Sequence, residues 1–106
     1  MSRENRILVV VKNPGEKPYC DCITNELETF QKLVGGFIEI VRITEDVLAV
    51  VNDEGRILGL PENIMGIAGP IVFCTERLGD DGGEFSSLPA VTVSRLLKIC
   101  GSGMSE

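Results

Sequence analysis

The sequence predicts an α+β domain in which a mostly antiparallel sheet of four to six strands carries two helices on one face. Three observations predict it. Short β-branched runs recur at Ile7–Lys12, Phe37–Ile43, Val47–Val51 and Ile71–Thr75. Two other stretches, Leu27–Val34 and Val93–Cys100, carry apolar residues at helical spacing instead. Between residues 37 and 60 the links joining successive runs are too short for parallel crossovers, so this stretch reads as a three-stranded antiparallel meander.

One domain accounts for residues 1–106, ordered from residue 6 to residue 100 and fraying over 101–106. A chain 43% hydrophobic and 25% charged is an ordinary globular composition, which excludes disorder. The net charge is −6 and the ten basic residues are scattered along the chain, which argues against direct nucleic-acid binding, since that needs clustered Lys and Arg. There is no histidine, so the usual neutral-pH general base and the Ser-His and Cys-His pairs are absent. No catalytic residues are assigned, and a non-enzyme is expected. The first apolar run, Ile7–Val11, is too short for a signal peptide or a membrane span. A cytoplasmic setting with reduced cysteines is the corresponding expectation.

Taken in order, Ile7–Lys12 is a strand apolar on both faces, ended by Asn13-Pro14-Gly15, and belongs inside the sheet. Lys17–Ile23 is a short polar strand suited to an edge. Asn25 and Glu28 form a capping-box pattern, with Thr24 as an alternative cap. The helix it opens sets Leu27, Phe30, Leu33 and Val34 on one face and stops at Gly35, the natural left-handed residue. Phe37–Ile43 follows at once and, being largely apolar on both faces, reads as a strand inside the sheet or with one face against the helices. Asn52-Asp53-Glu54-Gly55 is a hairpin signal after Val47–Val51, with Arg56–Leu60 as the returning strand. Pro61 ends that strand, and Ile71–Thr75 is the last one. Residues 76–84 read as a polar, glycine-rich loop. Pro89 opens the second helix with Ser86 and Ser87 near its cap, and Gly101 stops it.

Candidate chemistry is sparse. Cys20, Cys22, Cys74 and Cys100 could form a four-thiolate zinc site, but Cys-x-Cys lacks the usual two-residue spacer, so free thiols are expected and no metal or cofactor is assigned. Asp80, Asp81 and Glu84 do not match a calcium-loop spacing. Gly35-Gly36 follows a helix and precedes a strand, the reverse of a phosphate-binding loop. Glu39 interrupts an apolar strand, with Arg42 or Arg56 as its potential partner. Pro61 and Asn63 mark a loop of specified shape. The candidate ligand- or partner-binding residues are therefore Glu39, Arg42, Arg56, Pro61 and Asn63.

The run Leu27–Glu39, with its Leu-Val-Gly-Gly-Phe-Ile-Glu core, resembles a small bacterial and phage family, as do Asn52–Gly55, Gly59–Asn63 and Gly69-Pro70. That family is catalogued only as a domain of unknown function and is common in mobile elements of Gram-positive gut bacteria. The resemblance implies an accessory protein and carries no catalytic residues with it. The expectation is a non-enzymatic binding module for a host protein or a small nucleotide-like ligand. Alternatives are an acidic DNA mimic acting against host defence and a small enzyme working through carboxylates. A homodimer formed through a sheet edge or face is a further expectation.

Overall fold

A computed structural model describes residues 5–79 and 82–102. The domain is α+β, as predicted. Among the described residues there are six strands, β1 (Arg6–Lys12), β2 (Tyr19–Thr24), β3 (Ile38–Thr44), β4 (Val47–Asn52), β5 (Ile71–Gly79) and β6 (Gly82–Ser86). The helices are α1 (Leu27–Val34), a single turn α2 (Gly55–Leu58) and α3 (Ala90–Ser102). The strand order is β2-β1-β5-β4-β3, every pairing is antiparallel, and β6 pairs with the outer half of β5.

The two main helices cover opposite faces of the sheet, not one face as expected. Ile7, Val9 and Val11 of β1, Leu48 and Val50 of β4, and Val72 and Cys74 of β5 pack with Phe30 and Val34 of α1. The alternate residues, Val10, Ala49, Val51, Ile71 and Phe73, pack with Leu88 and with Val93 and Cys100 of α3. The cause is the period of two: three central strands apolar at every position present two greasy faces, and one helical layer can cover only one. The joint after α1 forms as the sequence predicts. Gly35 adopts φ 82° and its N–H donates to Gln31 O. Asn52 Nδ2 then donates to Val34 O at 3.0 Å, and Asn52 Oδ1 accepts from Glu54 N at 2.7 Å, tying the helix end to β4. The capping box does not form. Glu26 is the N-cap residue without a side-chain bond, and Asn25 Nδ2 donates to Phe85 O instead.

The predicted meander is corrected in its last strand. Arg56–Leu58 make a helical turn, and the third strand beside β3 and β4 is β5. Both edges of β4 are thereby occupied, so no ladder is left for residues 56–60. Gly55 is required for closeness: a Cβ there would stand 2.3 Å from Ala68 O. Of the two placements open to it, β3 takes the one outside the sheet interior: it lies at the edge with Ile38 against the α1-side core, and much of it is exposed. Residues 76–84 are not a loop throughout. Across them β5 and β6 pair antiparallel, with Arg77 and Glu84 in ion-pair contact at 3.0 Å; Asp80 and Asp81, proposed above as loop residues, lie outside the described residues. Ser87 accepts from Leu8 N at 2.9 Å and does not cap α3, whose first turn instead bonds to Pro89 O, and the helix runs through Gly101 to Ser102.

Candidate functional site

α3 packs chiefly against β1 and β2, so it covers its face of the sheet incompletely over β4 and β3, where the 3-10 turn Ile64–Gly66 approaches instead. An apolar cleft of about 400 Å³ opens there. Its floor is Phe73 and Val47, one wall is Leu96, Ile99 and Cys100 of α3, and the opposite wall includes Ile43, Ile64 and Met65. A register shift between Arg42 and Thr44 builds part of that wall. The extra residue of the bulge lets Ile43 and Thr44 both line the cleft, where strict alternation would send one away. Met65 and Ile99 are large apolar side chains 53% and 61% exposed at the rim. Arg95 lines the same cleft, is exposed, and has no ion pair or side-chain hydrogen bond among the described residues.

The wall bearing Met65 is held by a buried polar knot. Asn63 Nδ2 donates to Lys12 O and to Gly69 O, both at 2.8 Å, while Asn63 Oδ1 accepts from Ile64 N at 2.8 Å and from Lys12 Nζ at 3.3 Å. Every hydrogen-bonding position of the amide is used. Lys12 is 1% exposed, and its ammonium meets neutral acceptors, Asn13 O at 2.8 Å and Asn63 Oδ1 at 3.3 Å. Around this knot residues 61–69 fold back on themselves, with Asn63 N donating to Ile67 O, Gly69 N to Pro61 O and Ile67 N to Ile64 O. At the tip Met65 has φ 61° and Gly66 φ 71°. Two consecutive positive φ values closed by the Ile64–Ile67 bond make a type I′ geometry, which favours Asn-Gly or Gly-Gly. A methionine there is strained, and strain of this kind collects at functional sites.

The sequence-predicted residues are dispersed. Glu39 and Arg56 line a shallow groove of about 320 Å³ together with Asp53 and Glu54. They do not pair: the Arg56 guanidinium donates to Gly66 O, and Glu39 is exposed without an ion pair among the described residues. Arg42 projects from the other face, because it pairs with Leu48 while Glu39 pairs with Val51. There it makes an ion pair with Glu76 and donates to Glu45 O at 3.1 Å. Pro61 is exposed and Asn63 is buried, so these two shape the wall of the cleft without lining it. Sequence reading missed Lys12, Met65 and Arg95. An ammonium on the inward face of a β-branched run signalled the first, and Met-Gly between two turn-forming segments signalled the second. Arg95 stood on a helix with no feature to set it apart.

The cysteines occupy three separate places. Cys20 and Cys22 are exposed on the β2 edge, Cys74 is buried on the α1 face of the sheet, and Cys100 is buried on the α3 face. No group of three or more Cys, Asp or Glu among the described residues is placed to hold a metal ion. Burial, helped by the Glu76 carboxylate, pushes the Cys74 thiol up to about 12. Burial also raises Cys100, against the opposing pull of the Lys12 charge. A thiol reagent at mild pH is expected to modify Cys20 and Cys22 rapidly and the other two only after denaturation; prompt modification of all four would contradict the burial. Because the folded Cys74 thiol holds its proton more tightly than the unfolded one, its contribution to stability is complete below pH 9 and is lost as the pH rises toward about 12.

Fold and cleft together define a small α+β domain with an open apolar site on the α3 face. The chain belongs to the family described as a domain of unknown function, DUF3846, whose model matches residues 6–100. No curated protein and no solved structure matches. Among the described residues, no helix is long and apolar enough to cross a membrane.

Proposed function

We propose that the protein is a non-enzymatic binding module whose cleft takes a small ligand with an apolar body and one acidic group. The carrying observation is the cleft itself: about 400 Å³ of largely apolar-walled space whose charged lining is one carboxylate, Asp46, and one guanidinium, Arg95, which has no ion pair among the described residues. Ligand pockets occupy roughly 300–1,000 Å³ and combine apolar walls with a few orienting polar groups. The groove at Glu39 suits an anion poorly, because Glu39, Asp53 and Glu54 stand around an Arg56 already engaged with Gly66. An accessory role in the cytoplasm of a cell carrying a phage or other mobile element completes the reading, supported by the family-like core from Leu33 to Glu39.

The probe is 8-anilinonaphthalene-1-sulfonate, which joins an apolar ring system to a single negative charge. Saturable one-to-one binding to the folded protein is expected, weakened about tenfold by Arg95→Glu and by Ile99→Asp. Both positions are exposed, so the fold tolerates the changes. Met65→Gly is expected to raise stability by about 1 kcal/mol while weakening the probe, since it removes left-handed strain together with a wall of the cleft. Binding that is absent, non-saturable or indifferent to both Arg95→Glu and Ile99→Asp overturns the proposal.

A further inference from the structure

The two edges of the sheet are treated differently. On β2 the outward-facing backbone belongs to Cys20, Cys22 and Thr24, because Asn25 N, one residue on, turns inward to bond Asn5 O on the β1 side. The Cys22 groups are capped by the chain's own side chains: Asp21 Oδ1 accepts from Cys22 N at 2.8 Å, and the Arg6 guanidinium donates to Cys22 O at 2.7 Å. Capping of this kind blocks strand addition. On β3 the phase is fixed by Asp53 N, which donates to Phe37 O at 2.8 Å. Phe37 therefore faces β4, and Ile38, Ile40 and Arg42 present N–H and C=O outward. Among the described residues no side chain caps any of these groups, and the strand contains neither proline nor lysine. Ile40 is 50% exposed and Phe37 68%.

We infer that β3 pairs antiparallel with β3 of a second copy of this chain, about a two-fold axis through Ile40. Only outward-facing residues can exchange backbone bonds, and Ile38, Ile40 and Arg42 map onto one another under a single dyad, the one at Ile40. Ile40 then faces its own equivalent, Ile38 faces Arg42, and Glu39 faces Val41. No like charges are opposed, as a self-complementary interface requires. The bulge that follows Arg42 ends the ladder where the outward set ends. One step further, Phe37 of one copy lies beside Ile43 of the other and gains cover that the single chain does not give it. Extended peptides of other proteins would face Arg42 and Glu39 without this reciprocity. The inference goes beyond the cleft reading and does not depend on it.

Sedimentation and amide hydrogen exchange test it. The protein is expected to sediment at twice its 11.5 kDa at high concentration and to dissociate on dilution. Ile40→Lys is expected to remain at 11.5 kDa throughout, whereas Asp21→Ala, on the other edge, stays dimeric. In the unaltered chain the amides of Ile38, Ile40 and Arg42 are expected to exchange at least about tenfold more slowly in the dimer than in dilute monomer. A monomer at every concentration overturns the inference. So does a dimer that survives Ile40→Lys, or one in which those three amides are not slowed.

Discussion

Truncating Phe30 to alanine is expected to lower the unfolding free energy by about 3–5 kcal/mol. Phe30 is fully buried at the centre of α1, among Ile7, Val9, Leu48, Val50 and Val72. Its ring lies 4.7 Å from that of Phe85 at 48°. α1 has only eight residues, too few to persist alone in water, so its docking depends on this side chain and on Val34. A small domain holds roughly 5–15 kcal/mol in all, so the variant should be marginal at room temperature. Leu27→Ala is the comparison, since Leu27 is 56% exposed and should cost less than about 0.5 kcal/mol. Urea unfolding of the two variants checks the contrast, and similar losses for both would show that α1 is docked in another rotation.

The second large effect is expected at Asn63, where alanine should cost about 3–5 kcal/mol. The substitution strips acceptors from Lys12 Nζ and Ile64 N and donors from Lys12 O and Gly69 O. It also leaves a buried ammonium with Asn13 O alone. Lys12→Met should behave oppositely, costing less than about 1 kcal/mol or stabilising, because it removes a buried charge that has no carboxylate partner among the described residues and retains an apolar side chain. In the double variant Lys12→Met/Asn63→Ala part of the Asn63 loss should be recovered, and strict additivity in a double-mutant cycle would deny the coupling.

The strands that the sequence displayed best were those with one dominant signal, β1, β4 and the start of β5. Their apolar positions on both faces already demanded cover on two sides, a demand that a single helical layer could not meet. β3 was ambiguous for a related reason: apolar alternation records which surfaces avoid water, and an edge strand with one face against a helix can carry the same pattern as an inner one. Arg56-Ile57-Leu58 had a strand-like composition, but its neighbours left it no ladder, and tertiary placement overrode local propensity. The cleft was largely illegible because it arises from where α3 stops covering the sheet, a property of packing that no residue announces. Asn63 was recognisable as a shaping residue, and its partner Lys12 was hidden within a run read for its valines.

The Lys12–Asn63 knot also bears on kinetics. It joins groups 51 positions apart in the chain, and the β1–β5 ladder beside it pairs Lys12 with Ile71. Closing so long a loop costs more chain entropy than closing a local hairpin, so we expect this contact to form late, on the native side of the folding barrier. Asn63→Ala should therefore leave the folding rate nearly unchanged and accelerate unfolding by most of its equilibrium effect. One loop amide would then tune how long the native domain lasts without changing how fast it forms.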